Sequence, residues 1–519
     1  MGIGSKAWMV CTLAAGMAVP AAAQADWIYD AGDSQSWVAK NVSLGNRGTQ
    51  VFAELGPAYP TILLSAFDAD TAAPVWQSPA DLAFNHDVAS AETTDLHVSL
   101  RHERNATIPS LRNGWLRVFT SDSKEPLWTA RVSTWIANHN LSDVFVTPDG
   151  STIVTAVFDT GTFKLDLEFY RPDSNLPFKT LELDVGGSSN TMLMSDDAQT
   201  FYVGTLSSGK VFELETGRVL TTQFVQTQYY GGHGLSGDGS VFAMGGLGNV
   251  RVFRRQDDNS YRLDFTHNVS FNGYCDRIAI SSDGSTMAAG FNVLDGFRTT
   301  VVQAVDLKTG ALRMSESIVG NGQLQNTITD LDITSDGQRI AATVSGDGAG
   351  VRELRIYDAD RSIPIRTEDL PGSGLAVDIS ADGARVAVGC KGVHTTQAGS
   401  GGCIKFLQLD EADLLVKGVP VTGGSIDVEV QADQASTVVL FTADAIVDQP
   451  LFYPDLGLLY LRRAVTSKTT LGPTDANGFL RANISLARSA PGTTISMQGF
   501  LLPQQELTKD WVKVTVLPQ

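Results

Sequence analysis

The chain has 519 residues, 43% of them hydrophobic, with 50 glycines and a formal net charge of −19. That apolar content excludes a disordered chain and suffices for one very large core or several smaller ones. So acidic a surface repels nucleic acid and anionic membranes, and no later stretch is apolar enough to cross a bilayer, so neither nucleic-acid binding nor membrane insertion is expected.

Residues 1–25 carry a single charge, Lys6, followed by an apolar run from Ala7 to Val19 and the small-x-small sequence Ala23-Gln24-Ala25. This layout predicts a signal peptide cleaved near Ala25, and therefore a secreted or periplasmic protein. Trp8-Met9-Val10 before Cys11 are too bulky for a lipid-attachment signal.

From residue 26 to residue 417 one unit recurs. Its clearest copy runs from Ile280 to Gly310: Ser282-Asp283-Gly284 has the chemistry of a tight reversal between two extended runs, Val301 to Leu307 is a third, and Lys308-Thr309-Gly310 turns into a fourth. A four-stranded antiparallel meander of about 45 residues is the size of one propeller blade. The first turn recurs as Asn46-Arg47-Gly48, Glu92-Thr93-Thr94, Pro148-Asp149-Gly150, Asp196-Asp197-Ala198, Gly237-Asp238-Gly239, Ser335-Asp336-Gly337 and Ala381-Asp382-Gly383. A matching third strand and turn follow each copy, from AFDADTAAPVW at Ala66 to FLQLDEADLLV at Phe406, and both signatures predict eight blades. Trp76, Trp128 and Phe178 recur at one place in successive copies and are expected between blades. Two segments are candidates for the strand that closes the ring, Trp27 to Asp30 and Leu414 to Lys417.

Residues 418–519 lack the repeat. Short alternating runs such as SIDVEV, STVVLF and TTISMQGFLL, with an Asn477-Gly478 turn, predict a small β-sandwich. The expected fold is all-β: an eight-bladed β-propeller followed by a small C-terminal β-sandwich.

The SDG turn and the VDLKTG hairpin resemble the blades of YVTN and WD-repeat-like propellers of exported bacterial proteins, including the eight-bladed quinoprotein-type ring. The likeness spans roughly Asp26 to Lys417. Such families include binding modules, lactonases and redox enzymes, so the resemblance implies a fold rather than one activity. Quinone-dependent members show an adjacent cysteine pair, which is absent here, as is the C-x-x-C-H of haem attachment. Turn aspartates stand singly rather than in D-x-D-x-D-G loops, so no metal and no cofactor is expected. Gly234-Leu235-Ser236-Gly237 has Asp238 where a nucleophile elbow needs glycine. His86, His139 and His233 lie near starts of innermost strands, His97, His102, His267 and His394 are scattered, and none forms a metal-ligand pair, so these read as satisfied loop histidines.

Export permits a disulfide between Cys390 and Cys403, which flank one loop, and leaves Cys275 as a buried small hydrophobe. Six or seven residues before the centre of the first turn, the copies place Lys40, His86, Asp87, Asp143, Asn190, Asp276, Arg277 and Asp330, a polar set expected to converge on one mouth of the ring. Two functions follow. One is a non-enzymatic binding or scaffold protein, acting as a monomer, with a protein, peptide or glycan partner. The alternative is a hydrolase or lactonase using Asp87, Asp143, Asp276, Asp330 and His86 as bases or metal ligands.

Overall fold

A hydroxyl-aspartate box builds the first turn of blades three to eight. Thr147, Ser195, Ser236, Ser281, Thr334 and Ser380 each donate their hydroxyl to the aspartate two residues on, at 2.6–2.7 Å. The same hydroxyl accepts the amide five residues on at 2.9–3.0 Å. The aspartate accepts the amide two residues beyond itself at 2.8–3.0 Å. Local side-chain bonds of this kind hold the reversal without help from the rest of the ring. The closing glycine meets a second constraint: Gly337 has φ 68°, and a Cβ there would sit 2.6 Å from Thr286 of the preceding blade.

These observations come from a computed structural model that describes residues 26–409 apart from 31–36, 58–60, 79–80, 105–110, 137–141, 160, 188, 206–207, 225–231, 323, 349, 363 and 395–400, and thereafter the strands between 413 and 515. The first compact unit, Ala25–Leu409, is the ring; the second contains Asp410–Gln519.

The ring is an eight-bladed β-propeller of antiparallel sheets. Its innermost strands are Trp37–Gly45, Asp81–Ser90, Ser142–Val146, Ser189–Met194, His233–Leu235, Gly273–Ile280, Ile328–Ile333 and Gly374–Ile379, and the first lies against the last. Blades one and two are also joined through their backbones, Thr61 opposite Leu82 and Ile62 opposite Asp81. The last blade has three strands of its own and takes its fourth from the N-terminal end of the ring: Trp27–Asp30 pairs with Gly402–Gln408. The other closing candidate belongs elsewhere, since Asp413–Lys417 pairs with Ser425–Gln431 in the second unit.

One apolar cluster fills each of the eight interfaces between blades. Strand alternation supplies both sides of a blade: Val51, Ala53 and Leu55 face blade eight, while Phe52 between them faces blade two. Trp76 packs between blades one and two, and Trp128 stacks on Tyr170 of blade three at 5.7 Å. Phe178 departs from the expected interior position. It is 50% exposed, with the Arg171 guanidinium 4.3 Å above its ring, so a cation–π contact takes the place of burial.

The closing strand is held by more than its ladder. Trp27 stacks on Phe406 at 5.4 Å and Phe67 at 5.3 Å, and its indole donates to the Ala69 carbonyl at 2.7 Å. Asp26 accepts the Gln408 amide at 2.9 Å and pairs with Arg366. Cys390 and Cys403 stand directly opposite in neighbouring strands of this blade and form a disulfide, Cα–Cα 5.1 Å, and Cys403 also opposes Asp30.

In the second unit the strands form a three-stranded sheet (Asp413–Lys417, Ser425–Gln431, Phe479–Ser485), a four-stranded sheet (Ser467–Pro473, Thr437–Ala443, Thr494–Leu502, Glu506–Thr515) and a hairpin (Ile446–Tyr453, Gly457–Leu461). Asn477-Gly478 lies outside the described residues.

Replacing Trp27 with alanine removes the aromatic plug of the closing blade. We expect Trp27→Ala to lower stability by about 3–5 kcal/mol in urea unfolding. A loss below about 1 kcal/mol would mean that the N-terminal strand does not hold the ring.

Candidate functional site

Most innermost strands pair along one edge only, although Asp81–Ser90 also pairs with Thr61–Asp68 and Gly273–Ile280 also meets Leu247, so the unpaired inner-edge amides need acceptors. Carboxylates of the preceding blade supply them in a fixed register. Six residues before the turn centre, Asp87 accepts the Val144 amide of blade three at 2.8 Å and Asp330 accepts the Val377 amide of blade eight at 2.9 Å. Four residues before the turn centre, Asp332 accepts the Ile379 amide of blade eight at 2.9 Å and Asp378 accepts the Leu44 amide of blade one at 2.7 Å. The last of these bonds joins the end of the ring to its beginning.

Burial of these carboxyls raises their pKa values. Asp87 is pushed up to about 6 by burial, against the pull of the Val144 and Val88 amides. Asp143 is raised by burial and by the charge of Asp87. Asp330 reaches about 6 by burial, opposed by the Val377 amide and the Arg277 charge. Asp332 and Asp378 are both raised by burial, Asp378 further by the Asp332 charge. Two carboxylates in such a site share a proton in preference to both ionising.

The polar set expected at one mouth thus divides. Asp87 and Asp330 turn to the edge of the next blade. Asp276 accepts from Asn292 at 3.3 Å and lies beside Arg277, whose Nε donates to the Thr329 carbonyl at 2.8 Å. The side chains of Lys40, His86 and Asn190 lie outside the described residues. The histidines also differ from expectation, being buried on strands: His97 bonds Ser90, His102 bonds Ser142 and His233 bonds Tyr202, each at 2.7 Å. Burial lowers His233 to about 4, so it is neutral. Among the described residues, no group of three His, Cys, Asp or Glu side chains has metal-ligand geometry.

A cavity of about 230 Å³ opens at the turn end of the innermost strands, drawn from six of the eight blades. Ser43, Asp332 and Asp378 line it at equivalent positions of blades one, seven and eight; Leu44, Val146, Ile333 and Ile379, one residue further on, border it while their side chains pack between blades, and Glu92 and Asp196 stand among the turns. Burial raises Glu92, as do the charges of Asp196 and Asp382. Sequence reasoning missed Asp332, Asp378 and Ser43 as a set. The signal was present in LDITSDG and VDISADG, where an aspartate occupies a position that blades three and six fill with Phe145 and Ala279.

No protein-family model matches the chain, and no curated protein matches it either.

If the carboxylates clasp neighbouring blades, Asp330→Ala strands the Val377 amide and costs about 1–3 kcal/mol, whereas Asp330→Asn keeps an acceptor and costs less. Urea unfolding of both variants checks this, and equal losses would refute the clasp.

The raised carboxyls also set a pH dependence. Between the unfolded and folded pKa values the native state holds more protons, so their contribution to stability falls as pH rises from about 4 through 6 and above. Turn aspartates act oppositely: the Ser151 amide and the Thr147 hydroxyl lower Asp149, and the Thr309 amide and hydroxyl lower Asp306, so stability is lost again as pH falls through their folded pKa values, below the ordinary carboxyl range. We expect a higher melting temperature at about pH 5 than at pH 8 or pH 3; a melting temperature that climbs from pH 5 to pH 8 would contradict the assignment.

Proposed function

We propose that this is an exported, monomeric, non-enzymatic binding or scaffold protein that takes a protein, peptide or glycan partner at the axial mouth of its ring, in the manner of the YVTN and WD-repeat-like propellers its repeat resembles. The observation that carries this reading is the cavity at the turn end of the channel, which combines hydroxyls and carboxyls in one concave site bordered by six blades. The carboxylates that a hydrolase would need as bases support binding over catalysis, because Asp87 and Asp330 are occupied with amides of the next blade. The Cys390–Cys403 disulfide and the N-terminal signal pattern support export. The second unit, read as a small sandwich, serves as a spacer or second contact.

Labelled protein on peptide and glycan arrays tests the proposal. We expect a restricted set of hits, each weakened at least about tenfold, or about 1.4 kcal/mol, by Ser335→Trp, which fills the cavity rim. Hits that bind the plugged variant unchanged would place the partner elsewhere on the protein.

A further inference from the structure

We infer that the axial cavity receives a protonated primary amine, the shared chemistry of a lysine side chain and a small alkylammonium ion. The inference rests on the reading of this cavity as the binding site and names the group it selects.

Four observations lead to it. First, Asp332, Asp378, Glu92 and Asp196 line the cavity wall, and among the described residues no Lys, Arg or His does. Second, Ser43 lines the same cavity, is only 8% exposed, and among the described residues its hydroxyl has no hydrogen-bond partner. A buried hydroxyl facing a cavity with its hydrogen-bonding capacity unused is an acceptor waiting for a donor. Third, Ser43, Asp378 and Asp332 occupy the same register in blades one, eight and seven, so one hydroxyl and two carboxyls form a contiguous arc on neighbouring strands. An ammonium has three donors and no acceptor, which suits three such oxygens. Fourth, the cavity wall exposes more polar than apolar surface, which suits a charged group over an apolar one.

The donor set favours an organic ammonium over a divalent metal. Asp332 already accepts amides at both oxygens, from Ile333 at 2.9 Å and from Ile379 at 2.9 Å, and Asp378 gives one oxygen to Leu44. Such oxygens have lone pairs left for a further N–H but are poorly placed to surround a metal. Without a ligand, burial and the mutual charge of Asp332 and Asp378, with the charge of Asp330 added, favour one proton on the pair. An entering ammonium takes over its role: the proton leaves to solvent, both carboxylates ionise, and N–H donors of the ligand compensate their charge. Binding therefore releases up to one proton.

The test is isothermal titration of the purified full-length protein with n-butylammonium and with a short lysine-containing peptide, against butanol and the same peptide acetylated at the lysine Nε. Repeating each titration in buffers of different ionisation enthalpy reads proton release. We expect one site per chain for an ammonium probe, proton release on binding, and no heat from the neutral controls. Asp378→Asn, which keeps an acceptor for the Leu44 amide, should weaken binding about tenfold or more, and Ser43→Ala less. If Asp378→Asn fails to fold, Ser43→Ala and proton release carry the test. Binding of butylammonium and peptide alike supports a site for the ammonium itself. Binding of the peptide alone points to a protein partner, and of butylammonium alone to a free amine. The inference is overturned if neither ammonium probe binds, if neutral controls bind equally well, or if neither substitution weakens binding. Array hits blocked by Ser335→Trp but indifferent to Asp378→Asn would remove the amine while keeping the mouth as the binding site; hits unaffected by Ser335→Trp would remove the mouth itself.

Discussion

The hydrogen bond from an innermost-strand amide to a carboxylate of the preceding blade is the contact on which the channel depends. Along most of the inner edge the strand has no further strand to pair with, the short pairing of Thr61 and Ile62 with Leu82 and Asp81 apart. Aspartate is short enough to stay on its own strand and still reach across to the next. In blade seven, Asp330 and Asp332 do so two residues apart, in step with the side-chain period of a strand. Asp378 makes the same contact to Leu44 across the seam where the chain's two ends meet. The clasp and the closing strand therefore secure one seam at two radii: Asp378 on the inside, Trp27 on the outside.

The same contact has an electrostatic cost. Desolvating a carboxyl favours its neutral form, and placing a second one beside it adds repulsion. At Asp332 and Asp378, both raised by burial, a proton kept on the pair offsets this. The result is a pair poised to exchange a proton for another cation. Where the arc continues into blade one, Ser43 presents a neutral acceptor instead of a third acid, so charge does not accumulate further. A structural device for closing the ring has thereby produced a chemically distinct wall in an otherwise repetitive channel.

The asymmetry among blades is what gives the ring a site at all. Eight identical copies would present the same tier all round the axis. Here the tier four residues before the turn centre reads Ser43, Ala89, Phe145, Leu193, Gly234, Ala279, Asp332 and Asp378, so the polar arc is confined to three neighbouring blades. The one tier below carries Asp87, Asp143, Arg277 and Asp330 among others, and there most of the charge is directed into the wall or toward neighbouring charge.

The sequence by itself determined the blade. Asp and Gly together in a tight turn, with alternating apolar residues on each side, occur in five of the eight copies, and a local signal that recurs at blade spacing along the chain specifies a ring. It also supplied the unsuspected half of the turn, the Ser or Thr two residues before each aspartate, which was legible in SSDG, TSDG and SADG. Only the tertiary structure decided which segment closes the ring, because Trp27–Asp30 and Asp413–Lys417 are equally extended and only the pairing of Trp27 to Tyr29 onto Phe406 to Ile404, at the far end of the ring sequence, distinguishes them. It alone also decided what the carboxylates do. An aspartate on an innermost strand reads the same whether it faces open channel, a neighbouring amide or another acid, and that choice depends on the placement of a blade some 45 residues away, which no local pattern encodes.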